Sequence, residues 1–279
     1  DTEDTMTPSH RLPAWLLLLS LSACAGPSRE AADPAPTAPR FVLLGELHDN
    51  PQHHRDRAQR LRELIAREPR TVVVVEQLER GQVLTPGEQA PLEGRLLAAG
   101  FDAKSWRWPL HEPVFAATLA AGAPLQGGNL PREQVRRIVR EGDAVWPAEL
   151  LALRQASTWD EPRQQRLQQD IQDGHCGALP AAMLPGMVQA QRARDAAMAQ
   201  ALLDAARQGA RQVVLIAGNG HVRRDLAVPL YLQAAGVPAA QIRAVAYLER
   251  DSAVPAGAYD AVERATAPPR EDPCAAFKR

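Results

Sequence analysis

Two short apolar runs in the chain end in the same pattern, a glycine followed three residues later by a histidine. The first run ends in Gly45-Glu-Leu-His48 and the second in Gly218-Asn-Gly-His221. Short apolar runs of this kind are typical of buried strands in parallel sheets. The pattern therefore predicts that both histidines lie at the carboxyl edge of one sheet, where open α/β sheets bind their ligands.

A third apolar run, Thr71-Val-Val-Val-Val75, is β-branched throughout and leads directly into Glu76. A run without polar alternation suits a strand that is covered on both faces. If this strand belongs to the same sheet, Glu76 adds a carboxylate to the edge that carries the two histidines.

Apolar residues at helical spacing separate these strands, as in the stripe of Leu61, Leu64 and Ile65. The pattern predicts helices over 52–68, 88–99, 111–121, 132–140, 185–207 and 221–235, and further strands over 124–129 and 242–248. Residues 78–87 are predicted to form a loop. The Pro- and Ala-rich tail after Asp251 is predicted to have little regular structure and to follow the last strand.

Strands that alternate with helices predict an α/β fold with a mainly parallel sheet flanked by helices. No strand pattern occurs between Gly142 and Ala206, where Ala, Leu, Gln and Arg dominate. We therefore expect a smaller all-helical insertion domain over about 131–206.

The N-terminal segment predicts the cellular location. Residues 15–21 form an apolar run that is too short to span a bilayer, and Leu21-Ser-Ala-Cys24 resembles a bacterial lipobox. We interpret residues 1–23 as a lipoprotein signal peptide, Cys24 as the lipidated residue, 24–39 as a flexible tether and 40–279 as the folded domain. Ala25 after the cysteine favours the outer membrane. The alternative is an ordinary secretory signal in which Cys24 has no role.

The net charge argues against nucleic-acid binding, and the cysteine content raises the question of a disulfide. The formal net charge of −1 over 279 residues gives no electrostatic footprint for nucleic acid. Beyond Cys24, the chain has Cys176 and Cys274. In an oxidising compartment these two could form a disulfide or remain unpaired thiols, and the sequence does not distinguish the two states.

The residues at the strand ends allow three kinds of chemistry. Glu46, His48, Glu76 and His221 could hold a divalent metal ion with an open position for water. Without a metal, a Glu–His pair could act as a general base. An apolar pocket with a His or Tyr ligand could instead bind haem iron. The structural alternative is that these side chains only complete hydrogen bonds at strand ends, but charged groups are costly to bury without a task.

Several motifs resemble those of the ChaN-like haem-binding lipoproteins, and they occur in the same order from Phe41 to about Leu248. The matching segments are Gly45-Glu-Leu-His-Asp-Asn-Pro-Gln-His-His54, Val75-Glu76, Gly128-Asn-Leu-Pro-Arg132, His175-Cys176, Met187–Met198 with Gln191, Arg194 and Asp195, and Gly218-Asn-Gly-His221. The resemblance implies an α/β domain with a smaller helical one, and a surface-anchored lipoprotein that acquires haem or iron. The wider superfamily is similar to Tiki-type metalloproteases and erythromycin esterases, whose hydrolytic residues map onto Glu46, His48, Glu76 and His221.

The resemblance leaves the haem ligand open. The candidates are His175, Tyr231, Tyr247 and Tyr259. His53 and His54 could also line the pocket, but we expect them in a solvated first helical turn. Asn129 and Arg132 could hold a propionate at a helix start, where anions are favoured. Trp106 and Trp108 could flank a porphyrin or simply pack in the core.

The sequence thus predicts a lipid-anchored haem-binding protein for haem or iron uptake. Its predicted partners are haem, the membrane, an outer-membrane haem receptor and a second copy in a homodimer. The alternative is a divalent-metal hydrolase of peptides or esters, so the sequence leaves open whether the protein is an enzyme.

Overall fold

The computed structural model describes residues 38–272 and 274–275, so the predicted signal peptide, Cys24 and most of the tether lie outside the described residues. The strands are β1 (Phe41–Leu44), β2 (Thr71–Glu79), β3 (Val83–Leu84), β4 (Leu125–Asn129), β5 (Gln212–Ile216), β6 (Ile242–Glu249) and β7 (Ala261–Ala265). They form one sheet in the order β3-β4-β2-β5-β1-β6-β7. Only the β3–β4 pair is antiparallel within this sheet. The predicted α/β class with a mainly parallel sheet is confirmed.

Helices cover both faces of the sheet. They are α1 (Pro51–Arg67), α2 (Leu92–Ala98), α3 (Glu112–Ala120), α4 (Arg132–Glu141), α5 (Leu151–Ala156), α6 (Glu161–Gly174), α7 (Leu184–Arg207) and α8 (Val228–Ala234). Successive side chains of a strand point to opposite faces. Val42 and Leu44 accordingly pack with apolar residues of α1, α2 and α3. Phe41 and Leu43 pack with those of α4, α5, α7 and α8. The central strands are therefore buried on both sides, which explains their unbroken apolar runs.

The segment from 131 to 206 is described throughout and contains no strand. It contains α4 to α7 and three short 3₁₀ segments, 142–145, 148–150 and 181–183. Its last helix, α7, packs directly against β2, β4 and β5. This segment therefore also supplies part of the layer that covers the sheet.

The structure corrects the predicted loop over 78–87 and the helix over 88–99. β2 continues through Leu78 to Glu79. Gln77 and Leu78 are buried, and after a register shift that follows Val75 the pairing with β4 resumes between Glu79 and Asn129. Residues Val83–Leu84 form β3. α2 begins only at Leu92, since Pro91 occupies the residue before its first turn and Gly87 has a positive φ that interrupts a helix.

Two predictions in the C-terminal part are also wrong. The predicted helix over 221–235 is instead a 3₁₀ turn at Asn219–Val222, a second turn over 224–226 and then α8. α8 starts beside Pro229, because proline is tolerated only in a first helical turn. The tail contains a strand, β7, that pairs in parallel with β6. Its sequence has no apolar run, so the pairing with β6 defines the strand.

Candidate functional site

The register of the sheet brings the predicted strand ends together. Leu44 and Val75 both pair with Ile216 of the central strand β5. The residues that follow these three positions emerge at the same carboxyl edge of the sheet. Asn219, in the turn after β5, fixes this edge further, because its side chain accepts from the Tyr247 amide at 3.0 Å and donates to the Tyr247 carbonyl at 2.7 Å.

The His48 ring lies between two carboxylates. Its Nδ1 is 2.5 Å from Oε1 of Glu46, and its Nε2 is 3.9 Å from Oε2 of Glu76. The His48 side chain is 44% exposed, whereas the two glutamates are buried. Burial by the surrounding protein lowers the pKa of His48 despite the charge of Glu76, so the ring is neutral near pH 7. If Nδ1 carries the proton that faces Glu46, Nε2 is unprotonated.

Glu46 is the centre of a buried polar cluster beneath His48. Its Oε2 forms an ion pair with Arg57, and its Oε1 accepts from Gln77 at 3.1 Å and lies 3.1 Å from Nε2 of His111. Arg57 and His111 are fully buried. Burial lowers the pKa of Arg57 to about 9, so its guanidinium remains charged at neutral pH and balances the carboxylate.

His53 and His54 complete this region, and the prediction that they lie in a solvated helical turn is wrong. Both are fully buried. Asn50 caps α1 through its side chain, which accepts from the amides of Gln52 and His53. Nδ1 of His54 is 2.7 Å from Arg57 and its Nε2 is 3.0 Å from the carbonyl of His48. Burial lowers the pKa of His54 to about 3, which keeps it neutral.

Glu76 is held by three donors on the other side of His48. Its Oε1 pairs with Arg194 and lies 3.3 Å from Nε2 of His221, and its Oε2 accepts from the Gly218 amide at 2.7 Å. Burial alone raises the pKa of Glu76, but the positive charges of His221 and Arg194 hold it well below its usual value. Glu76 is therefore ionised at neutral pH.

His221, the second histidine of the repeated motif, is bound on both ring nitrogens. Its Nδ1 is 2.6 Å from Oδ1 of Asp195 on α7, and its Nε2 faces Glu76. Burial lowers the pKa of His221, but the charges of Glu76 and Asp195 more than compensate and raise it to about 9. His221 is an imidazolium at neutral pH and cannot serve as a base or a metal ligand in that state.

A cleft of about 550 Å³ opens in front of His48 and Glu76. Its other lining residues are Gln77, Leu78, Glu79, Gly100, Asp102, Trp106, Asn129, Leu130, Arg132, Val135 and Arg194. Trp106 contacts His48 edge-on, with 5.0 Å between ring centroids. Arg132 pairs with Asp102 at 2.8 Å and is 59% exposed. The cleft thus has one aromatic wall, two arginines and an open imidazole, and its size is typical of a small-molecule site.

The family described as haem-binding uptake, Tiki superfamily, ChaN matches residues 36–232 of the sequence. The chain belongs to this family. The matched region contains every residue of the Glu46 and Glu76 clusters. A search of curated proteins found no significant match.

Among solved structures, the chain is similar to ChaN of Campylobacter jejuni, in a structure that describes cofacial haem binding. The two share 19% identity and a TM-score of 0.64, over 80% of this chain and 86% of that one. This similarity supports the fold. Weaker similarities are to an erythromycin esterase variant in its open conformation (15% identity, TM-score 0.41, 76% and 70% covered) and to a Bacillus cereus protein (11% identity, TM-score 0.38, 76% and 66% covered).

In this ChaN family member, the four predicted metal ligands do not converge on one point. Glu46 and Glu76 lie on opposite sides of the His48 ring, and each is already paired with an arginine. Among the described residues, one set of three has ligand atoms within 4.8 Å of one another, namely Glu46, His54 and His111. Arg57 contacts both Glu46 and His54, so a guanidinium already supplies the positive charge that a metal would bring there.

The structure brings some of the predicted haem contacts to the cleft and leaves others elsewhere. Asn129 and Arg132 line it. His175 ends α6, with its Nδ1 2.7 Å from the carbonyl of Ile171, and Tyr247 is buried against His53. Tyr231 is also buried, and Tyr259 donates to the Asn219 carbonyl. None of these four is among the cleft residues in the described part of the chain, so their role as haem ligands stays a prediction.

Contacts in the structure decide two alternatives that the sequence left open, namely the state of the two cysteines and the position of the two tryptophans. Cys176 and Cys274 form a disulfide. Trp106 lines the cleft, whereas Trp108 packs against Phe101 with ring centroids 5.8 Å apart.

Sequence reasoning missed Arg57 and His111 as parts of the site. Arg57 reads as one of many helix-surface arginines, and His111 precedes a helix that shows no motif. The only available signal for Arg57 was its place on the apolar face of α1, four residues before Leu61.

Proposed function

We propose that this protein binds haem in the cleft, with Nε2 of His48 as the iron ligand. The observation that carries the proposal is the state of that nitrogen. Nδ1 is engaged by Glu46, while Nε2 has no hydrogen-bond partner among the described residues and borders the cleft. Haem iron takes an axial nitrogen ligand of this kind.

The backbone of Gly218 lies close beside Nε2 of His48. Gly218 has no side chain there, and a Cβ at this position would lie 2.9 Å from Nε2 and 3.6 Å from Oε2 of Glu76. Any larger residue would therefore fill the space that a ligand must enter. The neutral imidazole and the open cleft beside it support the haem proposal.

Other cleft residues suit the periphery of haem. Trp106, Leu130 and Val135 offer apolar contacts to a porphyrin. Arg132 could exchange its exposed pair with Asp102 for a propionate, because surface ion pairs contribute little. Arg194 donates to the side-chain oxygen of Asn129. Both residues line the cleft, and their N–H groups are further donors for a propionate.

The family and its C. jejuni member support this proposal, since that structure describes cofacial haem binding. We infer a role in haem or iron uptake, with an outer-membrane haem receptor as a partner. A haem face left open in the cleft would favour a homodimer.

We also propose that the protein is an outer-membrane lipoprotein anchored through Cys24. The Cys176–Cys274 disulfide supports an oxidising compartment. No helix in the described part of the chain has the length and apolar character needed to cross a bilayer. Lipid labelling of the expressed full chain should be lost in Cys24→Ser, and retained label in that variant would contradict the anchor.

The direct test is a haemin titration of residues 25–279 followed by absorption spectroscopy. We expect a saturable Soret shift with simple stoichiometry, weakened at least about tenfold by His48→Ala. His175→Ala is the matched control and should bind as the unaltered protein does. Binding that is featureless and does not saturate would contradict the proposal.

A second candidate is hydrolysis of an ester or peptide, which the Glu46–His48 dyad favours. A neutral imidazole held by a buried carboxylate beside an open cleft is suited to general-base activation of water. If this holds, ester or peptide turnover should disappear in His48→Ala, and a chelator should show whether a metal is required. Absence of turnover across both substrate classes would argue against it.

A further inference from the structure

We propose that a groove between α1, β6 and β7 binds a short peptide with free termini, extended along the two strands. The groove has a volume of about 320 Å³, near the lower end of the range for small-molecule sites. None of the described residues that line it also lines the cleft. The inference therefore goes beyond the proposed haem function and does not rest on it.

The groove contains a buried hydroxyl group without a protein partner. Tyr247 lines the groove and is 3% exposed. Its backbone amide and carbonyl bond to Asn219, whereas its hydroxyl has no hydrogen-bond partner among the described residues. Burial raises the pKa of Tyr247 to about 12, so the hydroxyl is protonated at neutral pH and can donate. Because a buried hydroxyl is costly to leave unpaired, it calls for water or a polar ligand in the groove.

Two charged side chains of the groove are also unpaired. Arg243 and Glu263 are exposed, and the side chain of neither forms an ion pair or a hydrogen bond with a described residue. Other charges around the groove are already engaged. Arg60 pairs with Glu63 at 3.1 Å, and Arg264 donates to three backbone carbonyls. One guanidinium and one carboxylate are thus available to a ligand.

The strand register places these two charges at opposite ends of the groove. Arg243 and Tyr247 lie four residues apart on one face of β6, so about 13 Å separates their Cα atoms. Glu263 is the Cα partner of Tyr247 on β7, and Ala261 is the partner of Val245 between the two ends. A guanidinium at one end, a carboxylate at the other and small apolar groups between them suit a molecule with a carboxylate and an ammonium at its ends.

The span sets the length of that molecule. An extended chain advances about 3.3–3.6 Å per residue, so three residues cover about 10 Å and the two charged side chains reach the rest. The carboxylate terminus pairs with Arg243, whose guanidinium can donate two parallel N–H groups. The ammonium terminus pairs with Glu263, and the hydroxyl of Tyr247 bonds to a peptide group beside it. Small side chains fit best over Val245 and Ala261.

The test is a titration of the unaltered protein with trialanine, followed by ¹H–¹⁵N chemical shifts. We expect saturable shifts at amides of β6 and β7. Free alanine cannot span the two charges, and N-acetyl-trialanine and trialanine amide each lack one terminal charge. Each of these three should bind about tenfold more weakly than trialanine, because a hydrogen bond between charged groups is lost.

Variants of the protein locate each contact. Arg243→Gln should weaken trialanine binding about tenfold and leave the binding of trialanine amide unchanged, because that peptide has no carboxylate. Glu263→Gln should show the same pattern with N-acetyl-trialanine, which has no ammonium. Tyr247→Phe keeps the buried ring and should weaken binding about fivefold. Arg211→Gln and Glu93→Gln are matched controls that remove exposed charges outside the groove, and both should bind trialanine as the unaltered protein does.

The comparison of free and blocked peptides uses the unaltered protein alone, so it does not depend on the folding of any variant. A trialanine titration that does not saturate would overturn the proposal, and so would equal affinities for trialanine and free alanine. Saturable shifts confined to residues of the cleft would also overturn it, because they would place the peptide at the other site. None of these results depends on whether the cleft binds haem.

Discussion

Gly218 approaches His48 so closely that the smallest side chain would collide with it. A Cβ at residue 218 would lie 2.9 Å from Nε2 of His48, a separation that a nonbonded carbon and nitrogen do not tolerate. The backbone there has φ −58° and ψ 149°, which any residue can adopt. The glycine is therefore required for the space beside His48 and not for a special backbone conformation.

This relationship gives a first prediction. Gly218→Ala should push the His48 ring aside and weaken haem binding by on the order of tenfold, equivalent to about 1.4 kcal/mol. Haemin titration measures the change. Gly220→Ala is the matched control in the same turn, because a Cβ there would meet nothing closer than 4.0 Å. Equal affinities for the two variants would show that the space beside His48 is not used.

The buried pair of Arg57 and Glu46 gives a prediction about stability. Arg57→Met leaves the Glu46 carboxylate buried without its cation, which should lower the free energy of unfolding by about 3–5 kcal/mol. Arg60→Met removes a half-exposed pair with Glu63 from the same helix and should cost less than about 1 kcal/mol. Chemical denaturation of both variants measures the difference. Similar losses for the two would contradict a structural role for the Arg57–Glu46 pair.

The imidazolium of His221 predicts a pH dependence. Its pKa is about 9 in the folded protein and the ordinary value is 6.5, so its stabilisation is fully present below pH 6.5 and is lost as the pH rises through 9. The contribution is on the order of 3 kcal/mol, since each pH unit between the two pKa values is worth about 1.4 kcal/mol. The free energy of unfolding of the unaltered protein relative to His221→Gln should therefore fall between pH 6.5 and 9. A difference that stays constant over this range would contradict a charged His221.

The disulfide gives a prediction about the C-terminal segment. Cys176 and Cys274 are 98 residues apart, so their link restricts a long loop in the unfolded chain. Replacing both with serine should lower the free energy of unfolding by about 2–4 kcal/mol. A reductant should destabilise the unaltered protein by a similar amount and leave the double variant unchanged. No change on reduction would indicate that the link does not stabilise the fold.

The sequence predicted the sheet and its functional edge because both follow from local patterns. Apolar runs that end in Gly45 and Gly218 identify adjacent parallel strands, and strand direction then places His48 and His221 at one edge. What the pattern could not give was the protonation of each histidine. The two motifs look alike, and both histidines face Glu76. Glu76 lies closer to His221, at 3.3 Å, and together with Asp195 it raises the pKa of His221 so that this ring is a cation.

The parts that the sequence did not predict depend on contacts between distant segments. Arg57 reaches Glu46 from α1 and His111 reaches it from the residue before α3, and no local pattern shows that these two segments meet. His53 and His54 are buried with ring contacts to the Leu248 carbonyl and to Arg57. β7 forms by pairing with β6, since strand preference depends strongly on context.

The most direct test of the haem site is an anomalous difference map collected at the iron edge from crystals of haemin-loaded protein, residues 25–279. We predict one iron peak per chain within bonding distance of Nε2 of His48, between Trp106 and Gly218. A peak beside His175 or Tyr247, or an iron without a protein ligand, would contradict the account.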